Sequence, residues 1–476
     1  MRIAMLAGEA NPFCKSGGLA DVILPLSVEY AKAGHDVMVV IPFYKIIKDR
    51  RLVKFERVGQ VDVDLSWRHQ VADVFSASYQ GVTYYFINSA YYFDRERLYG
   101  YGDDGERFAY FTQAALNWLN QLGNIDIIHV HDHQVAFAPV LLKERPWCYP
   151  KLNNTKTVLT IHNPAFKGYL APEALGDLFN LPLSLYEDGQ VRFEWGVSTL
   201  KGGIIYADKI TTVSPTHAQE LLTLEGSFGL SGVLNLRRDD FSGIVNGIDE
   251  VEWDPMKDPF LAKPFNEKTF AEGKKASKIR LCETGHIPYR DVPAFGVVSR
   301  LTEQKGVDLL IGALYQILEA GYLAFVCGSG DYELERRLQE VRDRYPDNFG
   351  LYIGFNNQFA HDIYGGCDFF LMPSLFEPCG IGQLLAKRYG TLPIARRTGG
   401  LADTIISYDG TNEKVANGFL FNDFDVSGLL WAVGEAEKAY AKPTLMKKLI
   451  VNAMKCDHSW AVSGKAYLDL YKSMLD

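Results

Sequence analysis

The stretch PAFGVVSRLTEQKGVDLL (293–310) decides how the rest of the chain is read. Its first half is an unbroken apolar run. A polar loop carrying Arg300, Lys305 and Gly306 follows, and then a segment with helical spacing. Continuous rather than alternating apolar runs are what parallel strands buried on both faces require. The same pattern recurs in YLAFVCGSG (322–330), FGLYIGF (349–355), DFFLMPS (368–374) and LPIARR (392–397). Upstream it appears in RIAMLA (2–7), DVMVVIP (36–42), IDIIHVH (125–131), TVLTIH (157–162), KITTVS (209–214) and FSGIVNG (241–247). Strands alternating with helices predict an α/β fold, and two such sets predict two doubly wound domains in tandem with a cleft between them.

The stretch VEWDPMKDPFLAKPFNEKTFAEGKK (251–275) is rich in Pro, Lys and Asp and has no strand pattern, so the domain boundary is expected near 250–265. The expected domains are 1–250, with an aromatic-rich insertion of hairpin and loop near 59–115, and 251–458. The segment 459–476 is expected as a C-terminal helix packing back on the first domain, with Trp460, Tyr467, Leu470, Tyr471 and Met474 at helical spacing. The Tyr-rich YYFINSAYYF (84–93) reads better as strand packing than as a ligand surface.

Composition narrows the class. At 476 residues the chain is too long for one simple core. A net charge of −9 argues against a general nucleic-acid binder while leaving room for a local anion site. Seven widely spaced cysteines with no C-x-x-C argue against a disulfide framework or a zinc cage and for a reducing compartment. With no signal-like start and no run of 18 apolar residues, a cytoplasmic enzyme without membrane partners is expected.

In doubly wound sheets, ligands bind in the loops beyond the carboxyl ends of the strands. After the first strand comes KSGGLADV (15–22), where Lys15 and the backbone of Gly17 and Gly18 lead into a helix and suit an anion. Almost the same letters return in RTGGLADT (397–404), and the likeness is read as a shared way of starting a helix. The positional counterpart of the first copy is Arg300 to Gly306, so Lys15 is expected to meet ligand and Arg397–Asp403 to shape a cleft wall. Arg300 and Lys305, five residues apart on one loop, suit a diphosphate, though a solvated charged loop has the same letters. His129, His131 and His133 alternate, as metal ligands on one strand face can, but an H-x-H pair is a weak signal and no metal is expected. Asp132 at that strand tip is the better polar ligand. His162 and Asn246 follow strands and read equally well as ligand contacts or as structural residues. SLFEPCGIGQLLAKRYG (374–390) is the most specific stretch: Glu377 in a turn can face a sugar hydroxyl, and the amides of 380–383 can face a phosphate. Neither half has a G-x-G-x-x-G, which disfavours a nicotinamide dehydrogenase.

These motifs, with TIHN (160–163), VSPT (213–216), NGID (246–249) and SRLTEQKG (299–306), occur in one order along nearly the whole chain. In that respect the sequence resembles the bacterial glycogen/starch synthases, retaining glycosyltransferases of the GT-B architecture, and the resemblance implies two doubly wound Rossmann-like domains facing a deep interdomain cleft. The resemblance implies transfer of glucose from a nucleotide diphosphate sugar, typically ADP-glucose, to the 4-hydroxyl at the non-reducing end of an α-1,4-glucan (glycogen or a maltooligosaccharide), without metal or cofactor. By motif matching, Arg300 and Lys305 would hold the diphosphate, with Lys15, Gly17 and Gly18 at the same phosphates. Glu377 would bind glucose hydroxyls, with Cys379, Gly380, Ile381 and Gly382 beside it. His162 would touch the transferred glucose, and Phe355 the adenine. Glu9, Asp21, Asp132 and Asn246 would line the acceptor and sugar region. No nucleophile for a double displacement is evident. The sequence departs from the family at Ile381-Gly382 (commonly Leu-Thr), at Leu385 (a Glu in many related transferases) and at His133-Gln134 (commonly Trp-His). UDP-glucose as donor, a nucleotide-sugar epimerase and a non-catalytic glucan-binding protein are the alternatives. The full motif set argues against the epimerase, and the joint presence of Lys15, Arg300, Lys305 and Glu377 against the binding protein.

Overall fold

Two large sheets and one small one carry the chain, whose computed structural model describes all 476 residues. The first contains β1 (Arg2–Leu6), β2 (Asp36–Pro42), β3 (Glu56–Leu65), β4 (Arg68–Tyr79), β5 (Val82–Asn88), β6 (Ile127–His131) and β7 (Lys156–Ile161). A small antiparallel sheet follows from β8 (Tyr169–Leu170), β9 (Arg192–Phe193) and β10 (Gly196–Ser198), and then β11 (Lys209–Thr212) and β12 (Phe241–Gly243) complete the large sheet. Its order is β12-β11-β7-β6-β1-β2-β5-β4-β3, parallel from β12 to β5. The β3–β4 hairpin is added antiparallel at the edge.

The second sheet holds β13 (Ala294–Val298), β14 (Leu323–Gly328), β15 (Phe349–Ile353), β16 (Phe369–Met372), β17 (Leu392–Arg396) and β18 (Phe419–Phe421). All its pairs are parallel, in the order β15-β14-β13-β16-β17-β18. That is the doubly wound order 3-2-1-4-5-6, in which the strand sequence reverses beside the first strand. The α/β class read from the apolar runs is therefore the observed one. No helix is long and apolar enough to cross a membrane.

The chain divides into two compact units, Met1–Ile244 with Trp460–Asp476, and Val245–Ser459, each with its own apolar core. The division falls at Ile244/Val245, a few residues ahead of 250, so Asn246 belongs to the second unit. One expectation is corrected. The segment 59–115 is not all insertion: β5 pairs parallel with β2, as the third strand of the core order, and only the β3–β4 hairpin is extra. Tyr84, Phe86, Tyr92 and Phe93 are buried as core residues, leaving Tyr91 exposed.

The C-terminal helix, Trp460–Leu475, packs on the helix Ala20–Lys32 within the first unit. A buried polar chain secures it. Tyr30 and Tyr471 share a hydroxyl hydrogen bond of 2.9 Å, and the Tyr471 hydroxyl meets His129 Nδ1 at 2.7 Å. His129 Nε2 meets Thr160 Oγ1 at 2.6 Å, and Thr160 meets Thr211 at 2.6 Å. The two helices are thus tied to β6, β7 and β11. Because burial disfavours the charged ring, His129 is pushed down to about 3 from 6.5. His162 falls to about 3, His133 to about 4, and His131 well below its usual range, all chiefly through burial.

This has a measurable sign. The unfolded chain takes up protons on these rings as pH falls below 6.5, and the folded unit refuses them until much lower pH. Each refused proton removes about 1.4 kcal/mol of stability per pH unit. Asp132, raised by burial to about 7, works in the opposite direction but is one group against four. Urea midpoints should hold above pH 6.5 and fall steadily toward pH 4.5. A midpoint that stays level or rises over that interval contradicts the buried neutral histidines.

Candidate active site

Each doubly wound sheet has a switch point, between β1 and β6 in the first unit and between β13 and β16 in the second. Loops leaving the carboxyl ends of those strands diverge there and leave room for ligand. The sequence motifs fall on these loops.

In the first unit, the loop after β1 is organised by Glu9, which is buried. Its carboxylate accepts the Ser16 N–H at 2.5 Å and the Gly17 N–H at 3.1 Å. Ser16 Oγ also bonds the Tyr99 hydroxyl. Lys15 Nζ lies 2.6 Å from Asp21 Oδ2, and Asn11 Nδ2 donates to the other Asp21 oxygen at 3.4 Å. The Gly17 amide is therefore already occupied, while the N–H groups of Gly18 and Leu19 have no acceptor in the chain. An incoming anion would find those two amides and a lysine that must leave Asp21.

The loop after β6 begins with Asp132 in the left-handed region, φ 59°. That turn ends the strand, so the three alternating histidines do not share a face. His129 and His131 lie tilted against each other with ring centroids 4.0 Å apart, while His133 turns out to stack on Phe166 at 5.9 Å. No group of His, Cys, Asp and Glu side chains converges as a metal would require. Asp132 Oδ1 accepts the backbone N–H groups of His162 at 2.7 Å and Asn163 at 3.2 Å, fixing the loop after β7 to the loop after β6. His162 Nε2 in turn lies 3.0 Å from His131 Nδ1.

In the second unit, Arg300 is exposed with no carboxylate partner. Lys305 Nζ lies 2.6 Å from Glu377 Oε2, and Ser374 Oγ donates to the same oxygen at 3.0 Å. Glu377 and Ser374 are buried. With Oε2 doubly engaged, Oε1 is left without a partner. Lys305 reaches this position because Gly306 takes φ 66° with its Cα against the Pro373 carbonyl. A Cβ there would sit 1.9 Å from that oxygen, so no other residue fits. The amides of Gly380, Ile381 and Gly382, just beyond Glu377, have no acceptor in the chain. Gln383 Nε2 closes this turn onto the carbonyls of Cys379 at 3.0 Å and Gly380 at 3.1 Å and onto Thr404 Oγ1 at 3.1 Å. Cys379 is buried and its thiol is pushed up to about 12 by burial, so it is inert as a nucleophile. The Asn246 backbone hydrogen-bonds that thiol, and its buried side-chain Oδ1 has no partner. Phe355, beyond β15, is 80% exposed. At Gly382, a Cβ would lie 3.0 Å from the Phe370 ring, which fills the space a larger residue would need.

The repeated letters prove to do different work. In the first copy, Gly17 and Gly18 precede the helix and are loosely packed: a Cβ on Gly17 would meet only Glu9 Oε1, at 3.6 Å, and one on Gly18 nothing within 4 Å. In the second, Gly399 and Gly400 open the helix Gly399–Thr404 and are pressed against the loop that carries Glu377. A Cβ at Gly399 would sit 2.0 Å from the Glu377 carbonyl oxygen, and one at Gly400 2.0 Å from that of Cys379. The Gly400 N–H also donates to the carbonyls of Glu377 and Pro378, at 3.1 Å each. Both pairs stand at the start of a helix, Ala20–Lys32 and Gly399–Thr404, so helix initiation is shared while the packing is not. The second pair is the backing of the Glu377 turn, and Arg397 is engaged with Asn422 at 3.1 Å. Sequence reasoning also gave no role to Ser374, although it lies within the quoted motif, and none to Tyr99.

Two doubly wound units with cationic and amide-lined loops at their switch points define a glycosyltransferase fold. Sucrose-phosphate synthase from Thermosynechococcus elongatus shares it at TM-score 0.59 and 16% identity, covering 100% of this chain and 99% of that one. The chain belongs to the glycogen/starch synthase family. Residues 2–236 match the starch synthase catalytic domain, and residues 286–455 match glycosyl transferases group 1. The glycogen synthase of Alkaliphilus metalliredigens is 40% identical over 476 residues, covering all of both chains. The catalytic domain of starch synthase IV from Arabidopsis thaliana, solved bound to ADP and acarbose, superposes with TM-score 0.89 at 33% identity over 99% of each chain.

The contrast between the glycine pairs is testable by chemical denaturation. Gly18→Ala should stay within about 0.5 kcal/mol of the parent, whereas Gly400→Ala should lose at least about 2 kcal/mol. Equal losses at the two positions would show that the second pair does not back the turn.

Proposed function

We propose that this chain is a glycogen synthase that transfers glucose from ADP-glucose to the 4-hydroxyl at the non-reducing end of an α-1,4-glucan. The anomeric configuration is retained and ADP is released. The observation that carries this reading is the Glu377 turn. A buried carboxylate is held through one oxygen by Lys305 and Ser374, with the other oxygen open and three free amides immediately beyond it. A sugar hydroxyl fits the open oxygen, and phosphate oxygens fit the amides with Arg300 and Lys305. The ADP in the Arabidopsis relative favours an adenine over a uridine nucleotide, and the exposed Phe355 ring offers the base a stacking face.

The physical demand is set by the leaving group. Breaking the bond from glucose C1 to the diphosphate builds negative charge on phosphate oxygens. Each cation close to that charge contributes up to about 4 kcal/mol gross at an effective dielectric near 20. Cations and amides already in place act more strongly on the transition state than on the bound ground state. We assign no metal or cofactor to the reaction. Arg300, Lys305 and the 380–382 amides meet the diphosphate, and Lys15 and the Gly18 amide are anion ligands of the first unit. His162 contacts the transferred glucose, with Asp132 holding its loop.

The test is incorporation of label into glycogen from ADP-glucose and, in parallel, from UDP-glucose. Incorporation from ADP-glucose is expected. No incorporation from either donor defeats the proposal, and preference for UDP-glucose corrects the nucleotide. Lys305→Ala and Glu377→Ala should each lower turnover at least about a hundredfold while the chain stays folded.

A further inference from the structure

His131 takes no part in the reading above, yet its geometry constrains His162. It ends β6, is wholly buried, and places Nδ1 3.0 Å from His162 Nε2. Its other nitrogen, Nε2, is buried without a hydrogen-bond partner. The neighbouring His129 ring, 4.0 Å away, cannot serve it. Both His129 nitrogens are committed, Nδ1 to Tyr471 and Nε2 to Thr160.

A hydrogen bond between two neutral imidazoles needs one donor and one acceptor. If His162 Nε2 donated, His131 would accept on Nδ1 and carry its own proton on Nε2, leaving a buried N–H with nothing to receive it. If His131 Nδ1 donates, the orphaned His131 Nε2 is only a lone pair. Orphaned buried N–H groups are the rarer and more costly of the two. The second arrangement is therefore favoured, and it dictates the state of the partner. We propose that His131 is a positioning residue that fixes the tautomer of His162, so that His162 holds its proton on Nδ1 and offers that atom only as a hydrogen-bond donor.

His162 Nδ1 has no partner in the chain, and the residue is half-buried, so this is the nitrogen open to a ligand. Both rings are kept neutral by burial, and Asp132 holds the His162 backbone in place through its N–H at 2.7 Å. A donor fixed in this way suits a sugar oxygen and cannot take up a proton at that atom. The effect on activity rests on the proposed contact between His162 and glucose. The tautomer itself does not.

Ring nitrogen spectra of protein labelled with 15N-histidine test the proposal, with the His162 signals assigned by their loss in His162→Gln. The expected spectrum has His162 Nδ1 protonated and Nε2 unprotonated at neutral pH. A protonated Nε2, or exchange between the two forms, overturns it. In His131→Leu the Nδ1–H preference should be lost and kcat/KM for the sugar nucleotide should fall roughly tenfold, with ADP affinity unchanged. His131→Gln, which keeps an N–H donor, should recover most of both. If His131→Leu does not fold, the parent spectrum still decides. If the parent transfers no glucose, the spectrum stands and the functional reading alone fails.

Discussion

The contact between Lys305 and Glu377 is the constraint on which the second unit's site depends. A buried carboxylate is costly unless it is paired and hydrogen-bonded, and here a lysine and a serine share one oxygen to meet that need. Satisfying the carboxylate from one side only is what leaves its second oxygen available. The surrounding chain serves this arrangement. Gly306 lets the Lys305 loop lie against Pro373, and Gly399 and Gly400 let a helix lie against the carbonyls of the Glu377 turn. Gln383 closes the turn from within.

The first unit solves a related problem with different parts. Glu9 holds its loop by accepting two backbone amides, and Asp132 holds the His162 loop in the same manner. In both, a buried carboxylate acts on backbone donors, so the groups these loops leave unengaged are amides and rings rather than the acids themselves. The polar chain from Tyr30 through Tyr471 and His129 to Thr160 runs beneath, tying the last helix of the sequence to the strands that carry these loops. The two ends of the chain are thereby joined in one unit.

Much of this was legible in the sequence because parallel strands buried on both faces leave unbroken apolar runs. The runs mark β1, β2, β6, β7 and β11 to β17. β5 does not stand out as a core strand because polar, Tyr-rich sequence surrounds it, and β8, β9, β10 and β18 are too short to show a period. Lys305, Glu377 and Asp132 were legible as candidates because charged residues at strand ends are conspicuous. Their partners were not. Nothing in the letters GGLAD separates a loosely packed pair of glycines from a pair pressed on a distant turn, since the difference lies in long-range packing. His131 was equally opaque: an H-x-H pattern is the same whether it binds metal, fills core or orients a neighbour.

The most direct measurement is a double-mutant cycle on kcat/KM for glucosyl transfer with Lys305→Ala, Glu377→Ala and the two combined. If the pair works as one unit, the double variant should be hardly worse than either single variant. Losses that add in full would show that the two side chains act independently and would contradict the central place given to their contact.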